Sequence, residues 1–283
     1  MATGGSQELR VVMVGKTGRG KSALGNSLLR HKVFTSTVSG GSVTSMCKTG
    51  YRDMKNGKRL VVIDTPGLFD TRVNNDVISK ELVRCIALAT PGPHAFLFVL
   101  SVDRFTQEEL DTVDHLQELF GSDVTKFVLF VFNGKDSLEF DEISLEEHIR
   151  RSPPQLQSLV DRCGGRIATI NNRVPLGSNE DDVNKILSLV EQTIVSNGGE
   201  HYTDAMFKAA DEVYQNKIRE LEAKYGKRLT ELELREQIRK ETEEHDGILV
   251  TFAKGIQNTT TKIRQRMASA CSMVINLFTG GSN

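Results

Sequence analysis

Six strand-length segments punctuate the first two thirds of the chain, dominated by apolar residues at 9–14, 59–64, 95–102, 127–132 and 166–170 and of mixed character at 49–54, each closed by glycine, asparagine, aspartate or a charged residue. Runs of this length, dense in Val, Ile, Leu and Phe, are predicted strands. Between them lie stretches with apolar residues at helical spacing, which predict helices at about 21–30, 76–89, 106–120, 141–151 and 180–196. Strand and helix in alternation define an α/β fold: a three-layer sandwich around a mostly parallel six-stranded sheet. Asn56-Gly57 between the second and third runs is a hairpin signal, so that pair is expected to be antiparallel.

The pattern changes after Asn197-Gly198-Gly199. From Tyr202 to His245 the text is charged and helix-favouring, with Met206, Val213, Ile218, Leu221, Leu229, Leu232 and Ile238 at helical spacings. It predicts one long helix, or a helical pair broken near Tyr225-Gly226. From Gly247 onward there are lysines and arginines but no acidic residue, interleaved with Ile248, Leu249, Phe252, Ile256, Ile263 and Met267. A basic amphipathic segment of this kind either lies on an anionic membrane or a protein partner, or folds back on its own domain. Three units result: 8–197, a charged helical C-terminal extension over 198–246, and a basic segment over 247–283.

Composition narrows the class. With 283 residues and a formal net charge of −1, the chain has room for a sizeable core and no charge excess suited to coating nucleic acid. Cys47, Cys85, Cys163 and Cys271 are far apart with no Cys-x-x-Cys spacing, which fits free thiols in a reducing, cytoplasmic setting. No run reaches the roughly 18 to 20 apolar residues that span a bilayer.

The chemistry begins directly after the first strand, where Gly15-Lys16-Thr17-Gly18-Arg19-Gly20-Lys21-Ser22 fills the pattern Gly-x-x-x-x-Gly-Lys-Ser and runs into Ala23 and a helix. Glycines let successive backbone N–H groups turn around a phosphate chain, and the helix N-terminus adds positive potential. Lys21 is expected at the β- and γ-phosphates and Ser22 as a Mg²⁺ ligand, since magnesium takes hard oxygen donors. Asp64, at the end of the strand that leads to Thr65-Pro66-Gly67, is expected to hold Mg²⁺ through water, and the Gly67 N–H is aimed at the γ-phosphate. The Ser/Thr/Gly-rich loop over 34–47 is a candidate switch in which Thr44 leads Thr37, Ser42 and Ser45 as the magnesium-touching residue. Asn133-Gly134-Lys135-Asp136 closes the fifth run and nearly spells the guanine-reading sequence Asn-Lys-x-Asp, with its lysine one place late. The Asp136 carboxylate can accept from both the N1–H and the exocyclic amine of guanine, a pattern adenine cannot supply.

These motifs, with Val33-Phe34-Thr35-Ser36, Asp64-Thr65-Pro66-Gly67-Leu68 and the block from Pro91 to Thr106, resemble the immunity-associated nucleotide-binding GTPases, the GIMAP/IAN family related to septins and plastid translocon GTPases, over roughly residues 8–197. The resemblance implies GTP and GDP as ligands with Mg²⁺. It also places Ser36 against the nucleotide, Thr44 on the metal and Asn172 at the base. It further implies GTP-dependent pairing of G domains into a homodimer or oligomer, sometimes on intracellular membranes, and a role in immunity or cell survival.

Hydrolysis requires an in-line water and compensation of charge on the transferring phosphoryl group. Leu68 stands where Ras-like proteins carry the water-orienting glutamine, so turnover by an isolated chain is expected to be slow. Arg104, after a strand end, is the candidate catalytic residue that one protomer would lend to another, alongside Lys21; support of the dimer surface is the competing role for Arg104. His94, before an apolar strand, reads as structural or interfacial. A non-hydrolysing GTP-bound scaffold is the alternative that Leu68 favours, and an ATP-using P-loop enzyme is a more distant one.

Overall fold

The computed structural model describes residues 8–36, 44–67, 75–103, 105–226 and 228–257. In chain order these form β1 (Glu8–Val14), α1 (Lys21–Leu29), β2 (Lys48–Asp53), β3 (Arg59–Asp64), α2 (Asn75–Ala89), β4 (Ala95–Ser101), α3 (Gln107–Phe120), β5 (Val128–Asn133), α4 (Lys135–Phe140), α5 (Leu145–Arg151), α6 (Pro154–Arg162), β6 (Ile167–Ile170), α7 (Glu180–Ser196), α8 (Ala205–Tyr225), α9 (Glu231–Glu244) and α10 (Asp246–Gln257). The six strands make one sheet in the order β2-β3-β1-β4-β5-β6. Only β2 runs antiparallel, paired to β3 from Lys48↔Asp64 to Asp53↔Arg59, as the Asn56-Gly57 turn predicts.

The strands are apolar on both faces because both are covered, as parallel sheets require. Val12, Val14, Val61, Ile63, Phe96, Phe98, Phe130 and Phe132 face one layer of helices, and Leu9, Val11, Met13, Leu60, Val62, Leu97, Val99 and Leu129 face the other, formed by α1 and α7. Each of these buried side chains contributes on the order of 1.5–3 kcal/mol by leaving water. The first layer is the thicker one. Besides α2 and α3 it takes in Tyr214, Ile218, Leu234, Ile238, Leu249, Phe252 and Ile256 from α8, α9 and α10.

Several helix boundaries differ from the sequence reading. The helix expected over 141–151 starts later, as α5 at Leu145, where Ser144 caps it by accepting from the Glu147 N–H; a separate short helix, α4, precedes it and ends at Phe140, before Glu142 turns to φ 54°. Helix α6 escaped the reading: Pro153-Pro154 looks like a breaker, but proline at the first helical turn gives up no intrahelical bond. Over 202–245 the pair is realised, and α9 starts at a capping box in which Thr230 and Glu233 exchange hydrogen bonds.

Of the two alternatives open for 247–283, the described part, α10, folds back: Leu249, Phe252, Ala253 and Ile256 are buried against α8 and α2. The rest of that segment lies outside the described residues. No described helix is long and apolar enough to cross a membrane. His94 is structural, since its Nδ1 accepts from the Arg10 backbone N–H at 2.9 Å. Burial and the neighbouring Arg10 push its pKa down to about 2, so the ring stays neutral.

Candidate functional site

The C-terminal ends of β1, β3, β4, β5 and β6 converge on a cleft of about 490 Å³ at the edge where open α/β sheets hold ligands. The loop between β1 and α1 forms its floor. Lys21 bends back so that its ammonium donates to the carbonyls of Gly15 at 2.9 Å and Lys16 at 3.0 Å, which fixes the loop as a ring around the lysine. Thr17, Gly18, Arg19, Gly20, Lys21, Ser22 and Ala23 all line the cleft. Arg19 is anchored outward in an ion pair of 2.6 Å with Glu109, the buried carboxylate that also accepts from the Thr106 N–H at the start of α3.

Beside this floor three oxygen-bearing side chains meet. Ser22 Oγ donates to Asp64 Oδ2 at 2.6 Å and lies 3.1 Å from Thr44 Oγ1, which is itself 3.4 Å from Asp64 Oδ2. The other carboxylate oxygen, Asp64 Oδ1, is buried and has no hydrogen-bond partner among the described residues. Burial raises the Asp64 pKa, and Ser22 and Lys21 oppose that rise. Two hydroxyls and one carboxylate with an unpaired oxygen are hard donors suited to magnesium. Among the described residues no cluster of three His, Cys, Asp or Glu competes for that role. Of the four hydroxyl candidates, Thr44 is brought to Ser22 and Asp64; Thr37 and Ser42 lie outside the described residues. Ser36 and Gly67 line the cleft, and Thr35 and Pro66 join them.

The base end is built by the loops after β5 and β6. Asn133 and Asn172 both reach the phosphate loop: a Cβ on Gly20 would meet Asn133 Nδ2 at 2.8 Å and Asn172 Nδ2 at 3.5 Å. Asn172 accepts from Ser27 through Oδ1 at 3.2 Å, while its Nδ2 is buried without a partner. Asp136 has the same asymmetry, with Oδ2 held by Arg173 Nη1 at 2.8 Å and Oδ1 buried and unpaired.

Lys135, the late lysine of that tetrapeptide, does not line the cleft. Its ammonium donates to Asp182 Oδ1 at 2.5 Å, away from the cleft lining, while Asp182 Oδ2 accepts from the Asn171 N–H at 3.2 Å. The shifted lysine thus ties the two base loops together from behind. Gly134 shows why it shifted: at φ 102° the backbone is in a region side chains avoid, and a Cβ there would lie 2.8 Å from Val102 Cγ2.

Arg104 and Leu68 lie outside the described residues. The structure adds Ser101, Asp103, Ser137 and Arg173 to the lining. Ser101 and Asp103 follow a central strand, so the strand-end rule could have named them. Arg173 pairs with a carboxylate 37 positions away, a proximity that only the fold creates. A larger groove of about 590 Å³ between α8 and α9 is lined by Lys217, Glu220, Lys240 and Glu241, and there Lys217 pairs with both Glu220 and Glu241.

The AIG1 family model matches residues 9–222, which reaches into α8. Immune-associated nucleotide-binding protein 7 of Arabidopsis thaliana is 43% identical over 77% of this chain and 72% of its own length. Immune-associated nucleotide-binding protein 9 of the same plant is 40% identical over 75% of this chain, and the match spans 62% of its length, less than two thirds. Among solved structures, Toc33 from Arabidopsis thaliana in complex with GDP and Mg²⁺ is 20% identical at a TM-score of 0.49, over 66% of this chain and 85% of Toc33. Its complex with Mg²⁺ and GMPPNP gives 18% and 0.48, over 68% and 86%.

Proposed function

The chain belongs to the AIG1 family of immune-associated nucleotide-binding proteins, and from that premise we propose that it is a guanine-nucleotide-binding protein and a slow GTPase whose GTP-dependent pairing of G domains drives assembly. One observation carries the reading: a single cleft is lined by the loop around Lys21, by Ser22 and Thr44, which both reach Asp64 behind them, and, at its far end, by Asn133, Asn172 and Arg173, the last of which holds Asp136. Phosphate, metal and base functions stand in the order a nucleoside triphosphate needs.

In this reading the N–H groups of the loop and the Lys21 ammonium hold the β- and γ-phosphates. Magnesium, when bound, neutralises charge on the phosphate oxygens, and Ser22, Thr44 and Asp64 are the residues that would hold it. The Gly67 N–H meets the γ-phosphate end, and the loop over 34–47, which carries Ser36 and Thr44, is the candidate switch that responds to it. Asp136 selects guanine, with Asn172 beside it. Leu68 cannot orient a water. Charge compensation would come from Arg104 of a second copy, an effect that can reach about 10³ to 10⁵ in rate.

Leu68 also supports a second reading, a GTP-bound scaffold that does not hydrolyse. Single-turnover GTP hydrolysis at low and high protein concentration separates the two. A rate per site that rises with concentration supports the dimer-stimulated GTPase, and one that stays at the buffer background throughout leaves the scaffold. Assembly on intracellular membranes belongs to the same proposal and predicts co-sedimentation with anionic vesicles in the GTP-analogue state.

A further inference from the structure

We propose that Arg173 is the stacking wall of the base subsite, supplying the flat brace that Gly134 leaves out. The inference rests on the guanine-nucleotide reading above and goes further in assigning the contact on the face of the base. In the Asn-Lys-x-Asp arrangement a lysine stem lies along the base. Here the equivalent position is a glycine where any side chain would be strained, by the φ of 102° and by Val102. Arg173 lines the same cleft from the β6–α7 loop. Its Nη1 is held 2.8 Å from Asp136 Oδ2, which brings the plane of its guanidinium next to the carboxylate that would read the guanine edge.

The pair has little use as a fold staple. The Arg173 side chain is 78% exposed and that of Asp136 31%, and ion pairs so exposed add little to stability. The loop does not need Arg173 for its shape either, since Asn171 and Asp182 hold it: the Arg173 N–H donates to Asn171 Oδ1 at 2.9 Å, and the Asn171 N–H to Asp182. What the side chain offers is a planar cation at the mouth of a base site. Guanidinium groups stack on aromatic faces while donating in their own plane, which lysine cannot do. A guanine whose N1–H and amine meet Asp136 would lie within reach of that plane, and Arg173 would hold the carboxylate and cover the ring together.

The test compares GDP, IDP and ADP binding to the full chain and to its Arg173→Ala and Arg173→Lys variants, with thermal unfolding alongside. IDP lacks the exocyclic amine, so it halves the hydrogen bonds to Asp136 and leaves the ring face unchanged. The expected result is an unchanged unfolding midpoint and a loss of about tenfold in affinity for GDP and for IDP alike in Arg173→Ala, in line with the worth of one base-stacking contact. Arg173→Lys keeps the charge on Asp136 and is expected to recover less than half of that loss on a logarithmic scale. Arg173→Ala binding GDP as tightly as the parent would overturn the inference. So would a loss confined to GDP with IDP unaffected, because Arg173 would then act only through the Asp136 hydrogen bonds. A parent chain that binds neither GDP nor IDP in preference to ADP overturns the guanine reading itself, and this inference with it.

Discussion

Arg239 in α9 and Glu8 in β1, 231 residues apart, form a two-pronged buried ion pair with N–O distances of 2.6 and 2.8 Å. Arg10 joins the same carboxylate at 3.4 Å, and Arg239 also donates to the Leu88 carbonyl of α2 at 3.0 Å. The C-terminal helices are therefore fastened to the first strand of the sheet by charge as well as by the apolar layer. Breaking one side of a buried pair leaves an uncompensated charge, so Arg239→Met should cost about 3–5 kcal/mol. Chemical denaturation measures the loss, and hydrogen exchange should show α9 and α10 opening first.

Acid should act on the same pair. Burial would raise the Glu8 pKa, but Arg239 and Arg10 outweigh it and hold the group at about 2, below its ordinary 4.5. A carboxyl depressed in the folded state contributes stability that is complete above its unfolded pKa and is lost as pH falls through the folded one. The stability of the parent chain should therefore decline between pH about 4.5 and about 2, and that of Arg239→Met should decline less steeply over the same interval.

Restoring the Asn-Lys-x-Asp spelling should harm the protein. Gly134→Lys places a Cβ 2.8 Å from Val102 Cγ2 on a backbone at φ 102°, a strain on the order of 1–3 kcal/mol. Both the unfolding midpoint and GDP affinity are expected to fall. Lys135→Ala leaves that backbone alone and removes the Asp182 tie, so its loss of GDP affinity should be smaller and its fold nearly as stable.

Asp64→Asn should separate metal from nucleotide. The substitution keeps an acceptor for Ser22 but removes the negative charge, so magnesium should no longer tighten GTP binding while metal-free GDP affinity changes little. Because the Asp64 pKa is raised by burial, protons compete for it sooner than for an exposed carboxyl. The magnesium enhancement in the parent chain should fade as pH drops, beginning above the usual carboxylate range. Titration of GTP with and without Mg²⁺ across pH gives both results.

Glu109 holds Arg19 of the phosphate loop and the Thr106 cap of α3 together. Glu109→Gln preserves the reciprocal cap and loses the charge, whereas Glu109→Ala loses both. The alanine variant should be about 1 kcal/mol less stable than the glutamine one, in keeping with a lost helix cap. If the loop before α3 presents a catalytic arginine, GTP turnover should fall more in Glu109→Ala than GDP affinity does.

The parts of the fold set by local chemistry were readable in the chain. Strand runs such as 95–102 and the Asn56-Gly57 turn are decided by nearest neighbours, and the loop from Gly15 to Ser22 carries its own geometry. Features that depend on contacts across the fold were not. Proline 154 starts a helix although it reads as a breaker, and α10 buries Phe252 in a layer whose other members lie far away in sequence. At the site, Ser22 and Asp64 were legible as strand-end and loop positions. The turn of Lys135 onto Asp182 and the grip of Arg173 on Asp136 were not, because they need the first turn of α7 and the β6–α7 loop to be placed beside α4.

Competition for the cleft tests the central claim most directly. With labelled GDP and Mg²⁺ bound to the full chain, unlabelled GDP and GTP should displace the label at comparable concentrations, and ATP should fail to do so even in thousandfold excess. Displacement by ATP as readily as by GTP, or no measurable binding of the labelled GDP, would contradict the account.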